Sequence, residues 1–485
     1  MGASGTGTAS AAAIRTFASI CDVCLQDTPG RVERHDTDVF LVRHCPEHGV
    51  RRFLTSRNGA DFERFDRAYH TLFPDDAAPH PPANSYFFIT DACNQGCAYC
   101  LNEANAHAYF AEYDLERFAV DVEAWSGDCI GLAGGEPLSH PRFFDFAAIV
   151  RARGKKLRVC TNGLALADDA VVRRLVETTG NRCEVRMTFE GFTPECYAHL
   201  PVARVRERKL AALDNLRARS VPTALCLTFD PARTQQPAAV RRATMRALID
   251  YALRHDFIRA LAFQSAVAVG GARHLPATAV LSVDRMMDDI VAAAPAQLER
   301  RHLYVLQKLM GAATALLHLP LCENSQFAAL FRLGDRWVGL DHFLDCDALD
   351  QRLHRRLTAV PVTRARLLRA LTVDVLASAR PSRFPAFVRL AWQVLPVFWR
   401  RFDLSRVPRS ILPLASTTAC DRHNYDASLA RRCDKWGSSM VRGAAVRELL
   451  SAMMLRQLRE RQEVPGAAHR PAAPAEAAGG LGARG

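Results

Sequence analysis

The chain has 485 residues, of which 49% are hydrophobic and 24% are charged, a composition typical of folded globular proteins rather than disordered ones. Its 15 cysteines, without an N-terminal export signal, favour metal ligation in a reducing compartment over a disulfide framework. We therefore expect a cytoplasmic protein. The lack of an apolar run of about 18 residues argues against a membrane-spanning helix.

The N-terminal region contains a cysteine and histidine motif. We expect residues 1–15 to be a disordered tail and residues 16–80 to form a small metal-binding module. The candidate ligands are Cys21, Cys24, Cys45 and His48. Three thiolates and one imidazole on two turns suit a tetrahedral ion, so the spacing predicts a structural site for Zn²⁺ or a mononuclear iron. Unrelated surface cysteines are the alternative.

After a proline-containing linker, residues 84–275 alternate between short apolar runs and helical patterns. The predicted strands are Tyr86–Thr90, Cys129–Ala133, Leu157–Thr161, Glu184–Thr188, Thr223–Phe229 and Ala260–Phe263. This alternation implies parallel strands with helices outside them. The fold class is therefore α/β, and six repeats predict a partial (β/α)6 barrel of the TIM type. In such barrels the chemistry lies at the C-terminal ends of the strands.

The loop after the first of these strands contains Cys93, Cys97 and Cys100. Three thiolates this close together can bind three corners of a [4Fe–4S] cluster and leave the fourth iron open to another ligand. Half of a zinc site, or simply buried thiols, would be the alternatives. A zinc site would need a fourth ligand nearby, and His107 is the nearest histidine or cysteine after Cys100.

Polar and glycine residues follow the later strands. The second strand is followed by Gly134, Gly135, Glu136 and Pro137, where glycines allow a ligand to approach the backbone and Glu136 offers an acceptor. Further candidates at strand ends are Asn162, Thr188, Glu190 and Gln264. Each of these, taken alone, also fits an ordinary turn or core position.

The spacing of the three cysteines, with Tyr99 just before the last of them, resembles the signature of the radical S-adenosylmethionine (SAM) superfamily. The resemblance implies that the open iron binds the amino and carboxylate groups of SAM. It also implies that residues 134–137 contact the methionyl amino group, and that Tyr99 and the later strand ends contact the rest of SAM. Such enzymes cleave SAM reductively to a 5′-deoxyadenosyl radical and need an electron donor such as flavodoxin or ferredoxin.

We expect residues 276–440 to form an α-rich extension with a hairpin around Leu330–Leu340. It contains four further cysteines, Cys322, Cys346, Cys420 and Cys433. Four is the number of ligands that an auxiliary [4Fe–4S] cluster needs, and buried free thiols are the alternative. An amphipathic helix is predicted over residues 441–463, followed by a disordered tail over residues 464–485.

The net charge of the chain is +12, and the positive charge is concentrated between Arg352 and Arg409. This segment contains 13 arginines and only two acidic residues, both aspartates. Within this stretch, Arg383–Phe402 interleaves arginine with phenylalanine and tryptophan, which suits a helix in a membrane interface. A helix that packs on the core and exposes a charged face is the alternative. We do not expect nucleic acid to be a partner, because no nucleic-acid module accompanies the segment.

The order of the motifs, ending in Asn424-Tyr425-Asp426 and Cys433, resembles the tetraether-synthase-like group of radical SAM enzymes over about residues 18–435. This resemblance implies modification or C–C coupling of a hydrophobic, lipid-like substrate. The segment Arg383–Phe402 would then give peripheral contact to a membrane. Radical modification of a pterin or a peptide is the first alternative. A non-catalytic zinc and iron–sulfur protein that transfers electrons is the second, from a different class.

Overall fold

The computed structural model describes residues 12–74, 84–105, 113–295, 298–317, 325–399, 407–419, 421–427, 438–442 and 446–449. The predicted linker around Ala78–Asn84 falls mostly outside these ranges. So do Cys322, Cys420 and Cys433, and the tail predicted over residues 464–485.

The N-terminal module is a four-stranded antiparallel sheet followed by a helix. Its strands, in sheet order, are β1 Ala12–Ile20, β2 Asp27–His35, β3 Asp38–Cys45 and β4 Gly49–Ser56, and the helix is α1 Gly59–Leu72. The disordered tail predicted over residues 1–15 is wrong at its end, because β1 already pairs with β2 from Ala12 onward. The β1–β2 and β3–β4 turns lie at the same end of this meander, which brings the two ligand pairs together.

Six parallel strands form the centre of the fold and confirm the predicted α/β barrel architecture. They are β5 Asn84–Thr90, β6 Cys129–Gly134, β7 Lys156–Thr161, β8 Cys183–Thr188, β9 Thr223–Phe229 and β10 Ile258–Ser265. The connecting helices are α2 Leu115–Ala124, α3 Phe143–Ala152, α4 Asp169–Thr179, α5 Val205–Ala218, α6 Pro231–Thr234 and α7 Ala238–Arg254. Each strand pairs with the next in chain order, as right-handed β–α–β units do.

Successive residues of each strand point to opposite faces of the sheet. Leu157, Val159, Val185 and Met187 are buried in the large core that the sheet shares with its helices. The residues between them therefore face the inside of the barrel, and on β7 and β8 these include charged side chains.

The sheet continues beyond the six barrel strands. On one side it adds β13 Ile411–Thr417, β11 Ser325–Leu333 and β12 Arg336–Val338, and the β11–β12 pair confirms the predicted hairpin. On the other side it adds β14 Ser438–Arg442 and β15 Val446–Leu449. The residues of β15 contradict the helix predicted over 441–463. Antiparallel pairing with β14 overrides their helical pattern, and the rest of that prediction lies outside the described residues.

The remainder of the C-terminal extension is α-helical, as predicted. Its helices are α8 Val283–Ala293, α9 Arg300–Leu316, α10 Cys346–Leu357, α11 Arg364–Arg369 and α12 Phe384–Trp399. They pack around a second hydrophobic core that includes Leu349, Leu353 and Phe387. Among the described helices, none is both long and apolar enough to cross a membrane.

One buried carboxylate joins the N-terminal module to the extension. Asp284 on α8 accepts hydrogen bonds from Ser56 Oγ at 2.5 Å, from Tyr304 Oη at 2.7 Å and from Gln326 Nε2 at 3.0 Å, and it pairs with Arg300. These partners come from the end of β4, from α9 and from β11. Asp284 therefore fixes three segments that are far apart in sequence.

Candidate active site and metal centre

The cysteine loop lies at the C-terminal end of β5, where it is held by the glycines that follow β6. The Gly135 N–H donates to the Thr90 carbonyl at 2.8 Å, and the Glu136 N–H donates to the Ala92 carbonyl at 2.8 Å. A Cβ atom on Gly135 would lie 2.3 Å from the Ala92 oxygen, so no other residue allows this approach. The glycines predicted to approach a ligand thus also hold the loop.

A second pair of glycines holds the other end of the loop. The Gly271 N–H donates to the Cys100 carbonyl at 3.0 Å. A Cβ on Gly270 would lie 2.6 Å from the Leu101 oxygen, and a Cβ on Gly271 would lie 2.6 Å from the Ala98 oxygen. The contact of these glycines with the cysteine loop was not predicted from the sequence.

The three thiols fit a cluster better than they fit a single ion. Burial raises the pKa of Cys93, and it raises the pKa of Cys97 to about 12, so iron must displace their protons on binding. The ligand atoms of the three do not all lie within 4.8 Å of one another among the described residues. Thiolates that each bind a different iron of a cube have no need to converge on one point.

A buried amide also faces this loop. Gln95 Nε2 donates to Cys97 Sγ at 3.0 Å, and Gln95 Oε1 is buried without a hydrogen-bond partner in the described part of the chain. A buried acceptor of this kind is costly unless a ligand or water completes it. Together with three thiols on one clamped loop, it fits a [4Fe–4S] cluster with an additional ligand.

Glu136 is buried and connects the loop after β6 to the end of β7. Its carboxylate accepts from Thr161 Oγ1 at 2.7 Å, from the Asn162 N–H at 2.6 Å and from the Leu138 N–H at 3.0 Å. Burial raises its pKa, although these hydrogen bonds oppose the effect. Both oxygens are used within the chain, so Glu136 positions the surrounding backbone. Contact between residues 134–137 and a ligand amino group remains a prediction.

The other strand-end candidates are engaged in networks around the barrel mouth. Asn162 Nδ2 donates to Asn94 Oδ1 at 2.7 Å, which ties β7 to the cysteine loop. On the far side, buried Lys209 donates to the Thr188 carbonyl at 2.9 Å and pairs with Glu190 at 2.7 Å. Neither residue was predicted, because Asn94 is one of the variable positions between Cys93 and Cys97 and Lys209 lies in no recognisable motif.

Gln264 and Tyr99 lie in two further networks. Gln264 Nε2 donates to Thr417 Oγ1 at 3.0 Å, which links β10 to β13. The Tyr99 hydroxyl lies 3.2 Å from His199 Nε2, and His199 Nδ1 lies 3.6 Å from Asp230. Burial raises the pKa of Tyr99 well above its usual value, so its phenol stays neutral beside the cysteines.

The N-terminal ligands converge as expected for a single ion. The ligand atoms of Cys21, Cys24, Cys45 and His48 all lie within 4.8 Å of one another. Cys24 Sγ lies 3.8 Å from Cys45 Sγ, and Cys45 Sγ lies 3.5 Å from His48 Nδ1. The hydrogen bond from His48 lowers the pKa of Cys45 to about 6, which favours the thiolate that a metal requires.

The cysteines predicted for an auxiliary cluster are only partly described. Cys346 is buried at the start of α10 among apolar side chains, and burial raises its pKa to about 12. Cys322, Cys420 and Cys433 lie outside the described residues. The auxiliary cluster therefore remains a prediction.

The C-terminal block connects the metal module to the barrel. His423 Nε2 lies 2.7 Å from the Leu275 carbonyl, and Arg43 donates to the Arg422 carbonyl at 2.6 Å. Asp426 accepts from Arg15 at 2.6 Å. Residues 421–427 thus pass between the N-terminal sheet and the segment that follows β10.

Helix α12 contains most of the predicted basic amphipathic segment. Phe387 and Leu390 are buried against the extension, whereas Arg389 and Trp392 are exposed, Trp392 by 74%. The helix is therefore amphipathic, with one face in the core and an aromatic and cationic face in solvent.

Two family models match this chain. The model of the radical SAM superfamily matches residues 87–236, and that of the HMPTM N-terminal zinc ribbon domain matches residues 13–57. These ranges contain the clamped cysteine loop and the converging N-terminal ligands, respectively.

Relatives and solved structures match over part of the chain. A 7,8-dihydro-6-hydroxymethylpterin dimethyltransferase from Methanocaldococcus jannaschii is 23% identical over 203 residues, which cover 37% of this chain and 40% of that protein. An AdoMet-dependent heme synthase from Methanosarcina barkeri is 27% identical over 145 residues, or 28% of this chain and 39% of that protein. Streptococcus suis SuiB bound to S-adenosylmethionine is 12% identical with a TM-score of 0.36, over 49% of this chain and 53% of that one.

The chain thus spans about 40% of the length of these curated relatives. The match to the superfamily model and the names of the relatives agree with the cysteine loop at the mouth of a parallel barrel. Residues 87–236 therefore match the radical SAM superfamily, and they follow a segment that matches an N-terminal zinc ribbon.

Proposed function

We propose that this chain reductively cleaves SAM at a [4Fe–4S] cluster held by Cys93, Cys97 and Cys100, and modifies a small polar substrate inside the barrel. When bound, the cluster and SAM would supply a 5′-deoxyadenosyl radical that abstracts hydrogen from the substrate. The observation that carries the proposal is the cysteine loop clamped between two glycine pairs at the barrel mouth.

The residues of the chain would hold and orient these groups. The three cysteines supply the thiolates, and Gly134 and Gly135 allow the backbone to approach the amino group of SAM. Asn162 keeps the loop in place through Asn94. Tyr99, Thr188, Glu190 and Gln264 line the same end of the barrel as candidate contacts for the rest of SAM. Their buried hydrogen bonds would fix the geometry before SAM binds.

A pterin-like heterocycle is the substrate that we favour. One relative is a pterin dimethyltransferase by its name. The interior of the barrel supports a polar substrate as well, because β7 and β8 direct Lys156, Arg158, Glu184 and Arg186 into it. An acyl chain there would leave the Arg186 guanidinium, whose Nε has no hydrogen-bond partner among the described residues, without a polar ligand.

Modification or coupling of a lipid is the second candidate, in line with the resemblance to the tetraether-synthase-like group. The observation that favours it is the exposed face of α12, where Trp392 and Arg389 could meet a membrane surface. The electron would come from a donor such as flavodoxin or ferredoxin. The zinc ribbon would hold Zn²⁺ or a mononuclear iron in a structural role.

The test is anaerobic reconstitution with iron and sulfide, reduction with dithionite, and assay for 5′-deoxyadenosine. Wild type is compared with Cys97→Ala and with Cys183→Ala, which removes a buried thiol of the main core away from the loop. Product from wild type and Cys183→Ala, but not from Cys97→Ala, would support the proposal. If the folded, iron-loaded wild type neither binds SAM nor yields 5′-deoxyadenosine, the proposal is wrong and an electron-transfer role gains support.

A further inference from the structure

Charged side chains occupy the inside of the barrel below the cysteine loop. On β7 and β8, Leu157, Val159, Val185 and Met187 face the helices. The alternate positions therefore direct the charged residues Lys156, Arg158, Glu184 and Arg186 into the barrel. Three of these four side chains are cations and one is a carboxylate.

Glu184 is fully engaged by two of the cations. One of its oxygens pairs with Lys156 Nζ and the other with Arg158 Nε, and all three residues are buried. Burial alone would raise the pKa of Glu184, but Arg158 and Lys156 outweigh it and hold the pKa below its usual value. Glu184 is thus an ionised carboxylate whose hydrogen-bonding capacity is directed at its two neighbours, not at Arg186.

Arg186 is held by a phenol rather than by an acid. Its guanidinium donates to the Tyr86 hydroxyl at 3.1 Å, and its Nε is buried without a hydrogen-bond partner among the described residues. The thiols around it are Cys129, Cys160 and Cys226. Burial raises the pKa of both Cys129 and Cys160 to about 11 and raises that of Cys226 as well, so none of the three supplies a negative charge at neutral pH.

The position of Tyr86 is built into the sheet. Tyr86 is on β5 and Arg186 is on β8, so their hydrogen bond crosses the barrel interior past the two strands between them. The Tyr86 ring lies over Gly131 of β6, where a Cβ would come within 2.5 Å of Cδ1. The bare glycine therefore leaves the space through which the phenol reaches Arg186.

Arg186 also lies at a depth below the barrel mouth that a small molecule could span. It precedes Thr188 on the same strand by two residues, a rise of about 7 Å, and Thr188 is at the barrel mouth beside Lys209 and Glu190. A small molecule that contacts Arg186 would therefore extend toward the cysteine loop. Partially exposed Cys160 and Cys226 next to Arg186 indicate that the interior there is open rather than packed.

We propose that Arg186, oriented by Tyr86, binds a carboxylate or phosphate group of the substrate. Arg186 is partly exposed, and the Glu184 carboxylate that attracts it is already paired with Lys156 and Arg158. An oxyanion would complete the hydrogen bonding of the guanidinium, including its unpartnered Nε, in the two-pronged manner that arginine favours. The assignment rests on the proposed function, because it places the substrate under the cofactor. It predicts an anionic substrate, either a soluble small molecule or the headgroup of a lipid.

The experiment measures binding of inorganic phosphate and of acetate by calorimetric titration of the full-length protein. Wild type is compared with Arg186→Gln, with Arg186→Lys and with Arg219→Gln, which removes a surface arginine paired with Asp169. We expect saturable binding of at least one anion by wild type and Arg219→Gln. The dissociation constant should rise about 10-fold or more in Arg186→Gln and less in Arg186→Lys, which keeps the charge. Circular dichroism verifies that each variant is folded.

Equal affinities for wild type and folded Arg186→Gln, or no saturable binding of either anion by wild type, would overturn the proposal. Cys97→Ala is titrated in parallel, because it removes the proposed radical reaction without touching the barrel interior. If Cys97→Ala still binds the anion, the site at Arg186 exists whether or not the protein cleaves SAM. Failure of SAM cleavage would then count against the proposed function alone. Binding of phosphatidylglycerol vesicles that depends on Arg186 would identify a lipid headgroup, whereas its absence alongside phosphate or acetate binding would identify a soluble substrate.

Discussion

The Gly271 N–H donates a hydrogen bond to the Cys100 carbonyl, 3.0 Å away, although the two residues are far apart in sequence. Gly271 follows β10, the last of the six barrel strands, and Cys100 follows β5, the first. The contact therefore connects the two ends of the barrel at its mouth. It also determines where the last of the three cysteine thiols can lie.

Substitution of Gly271 should impair binding of the cluster more than folding. In Gly271→Val the new side chain would collide with the Ala98 carbonyl, which a Cβ alone would approach to 2.6 Å, so the cysteine loop must shift. We expect a clear loss of iron and sulfide per chain after anaerobic reconstitution, measured chemically and by visible absorbance. Gly154→Ala, where a Cβ meets nothing within 4 Å but φ is +66°, is the control for a strained glycine substitution outside the cysteine loop. Full cluster content in Gly271→Val would show that the clamp is dispensable.

The N-terminal ligands predict one tightly bound ion that is independent of the barrel cluster. Cys24→Ser should remove about one equivalent of zinc or iron per chain, because it breaks a closed set of four ligands. Elemental analysis of protein purified without iron reconstitution measures the loss and identifies the metal. Cys183→Ser, at a buried cysteine of the main core, serves as the control. An unchanged metal content in Cys24→Ser would contradict the assignment.

Neutralising Asp284 should lower the free energy of unfolding more than neutralising most other acidic residues. Asp284→Asn removes the carboxylate that pairs with Arg300 and accepts from Ser56 and Tyr304, and it leaves Asp288 as the remaining acidic contact of Arg300 among the described residues. We expect a loss of about 3 kcal/mol in the free energy of unfolding, measured by urea denaturation at pH 7. Asp288→Asn is the matched control. It also contacts Arg300, at 2.9 Å, but burial raises the pKa of Asp288, so its loss should cost about 1 kcal/mol or less.

The stabilisation from Asp284 should depend on pH. Burial alone would raise its pKa, but Arg300 and the surrounding hydrogen bonds outweigh this and hold the pKa below the unfolded value of about 3.9. Its contribution is therefore complete above about pH 4 and is lost as the pH falls through the folded-state pKa. The difference in unfolding free energy between wild type and Asp284→Asn should shrink in acid. A constant difference would contradict the role of the ionised carboxylate.

The exposed arginines beside and on α12 predict electrostatic binding to anionic membranes. Arg383 and Arg389 are exposed on either side of buried Phe387. Replacing both by glutamine should weaken binding to phosphatidylglycerol vesicles by about 2 kcal/mol, or about 30-fold, in co-sedimentation at low salt. The control replaces exposed Arg173 and Arg217 on the barrel helices. Equal binding by both double variants would exclude α12 as the docking surface.

Local patterns accounted for much of the fold. All six predicted barrel strands lie within observed strands, because their apolar runs and the helical patterns between them reflect short-range periodicity. The N-terminal site was predictable from the Cys21–Cys24 and Cys45–His48 spacing, since each pair lies on a single turn. The helix predicted after residue 441 was wrong at β15, because β15 pairs with β14, which itself joins the sheet beside the distant strand β5.

The amino-acid sequence by itself determined which residues could bind metal and where the strands and helices lie, because ligand spacing and hydrophobic periodicity are properties of neighbouring residues. Only the tertiary structure decided that Gly271 closes on the cysteine loop, that Asp284 joins three segments, and that Arg186 meets Tyr86 across the barrel. These contacts depend on the closure and register of the sheet. Both are set by packing between residues that are far apart in the chain.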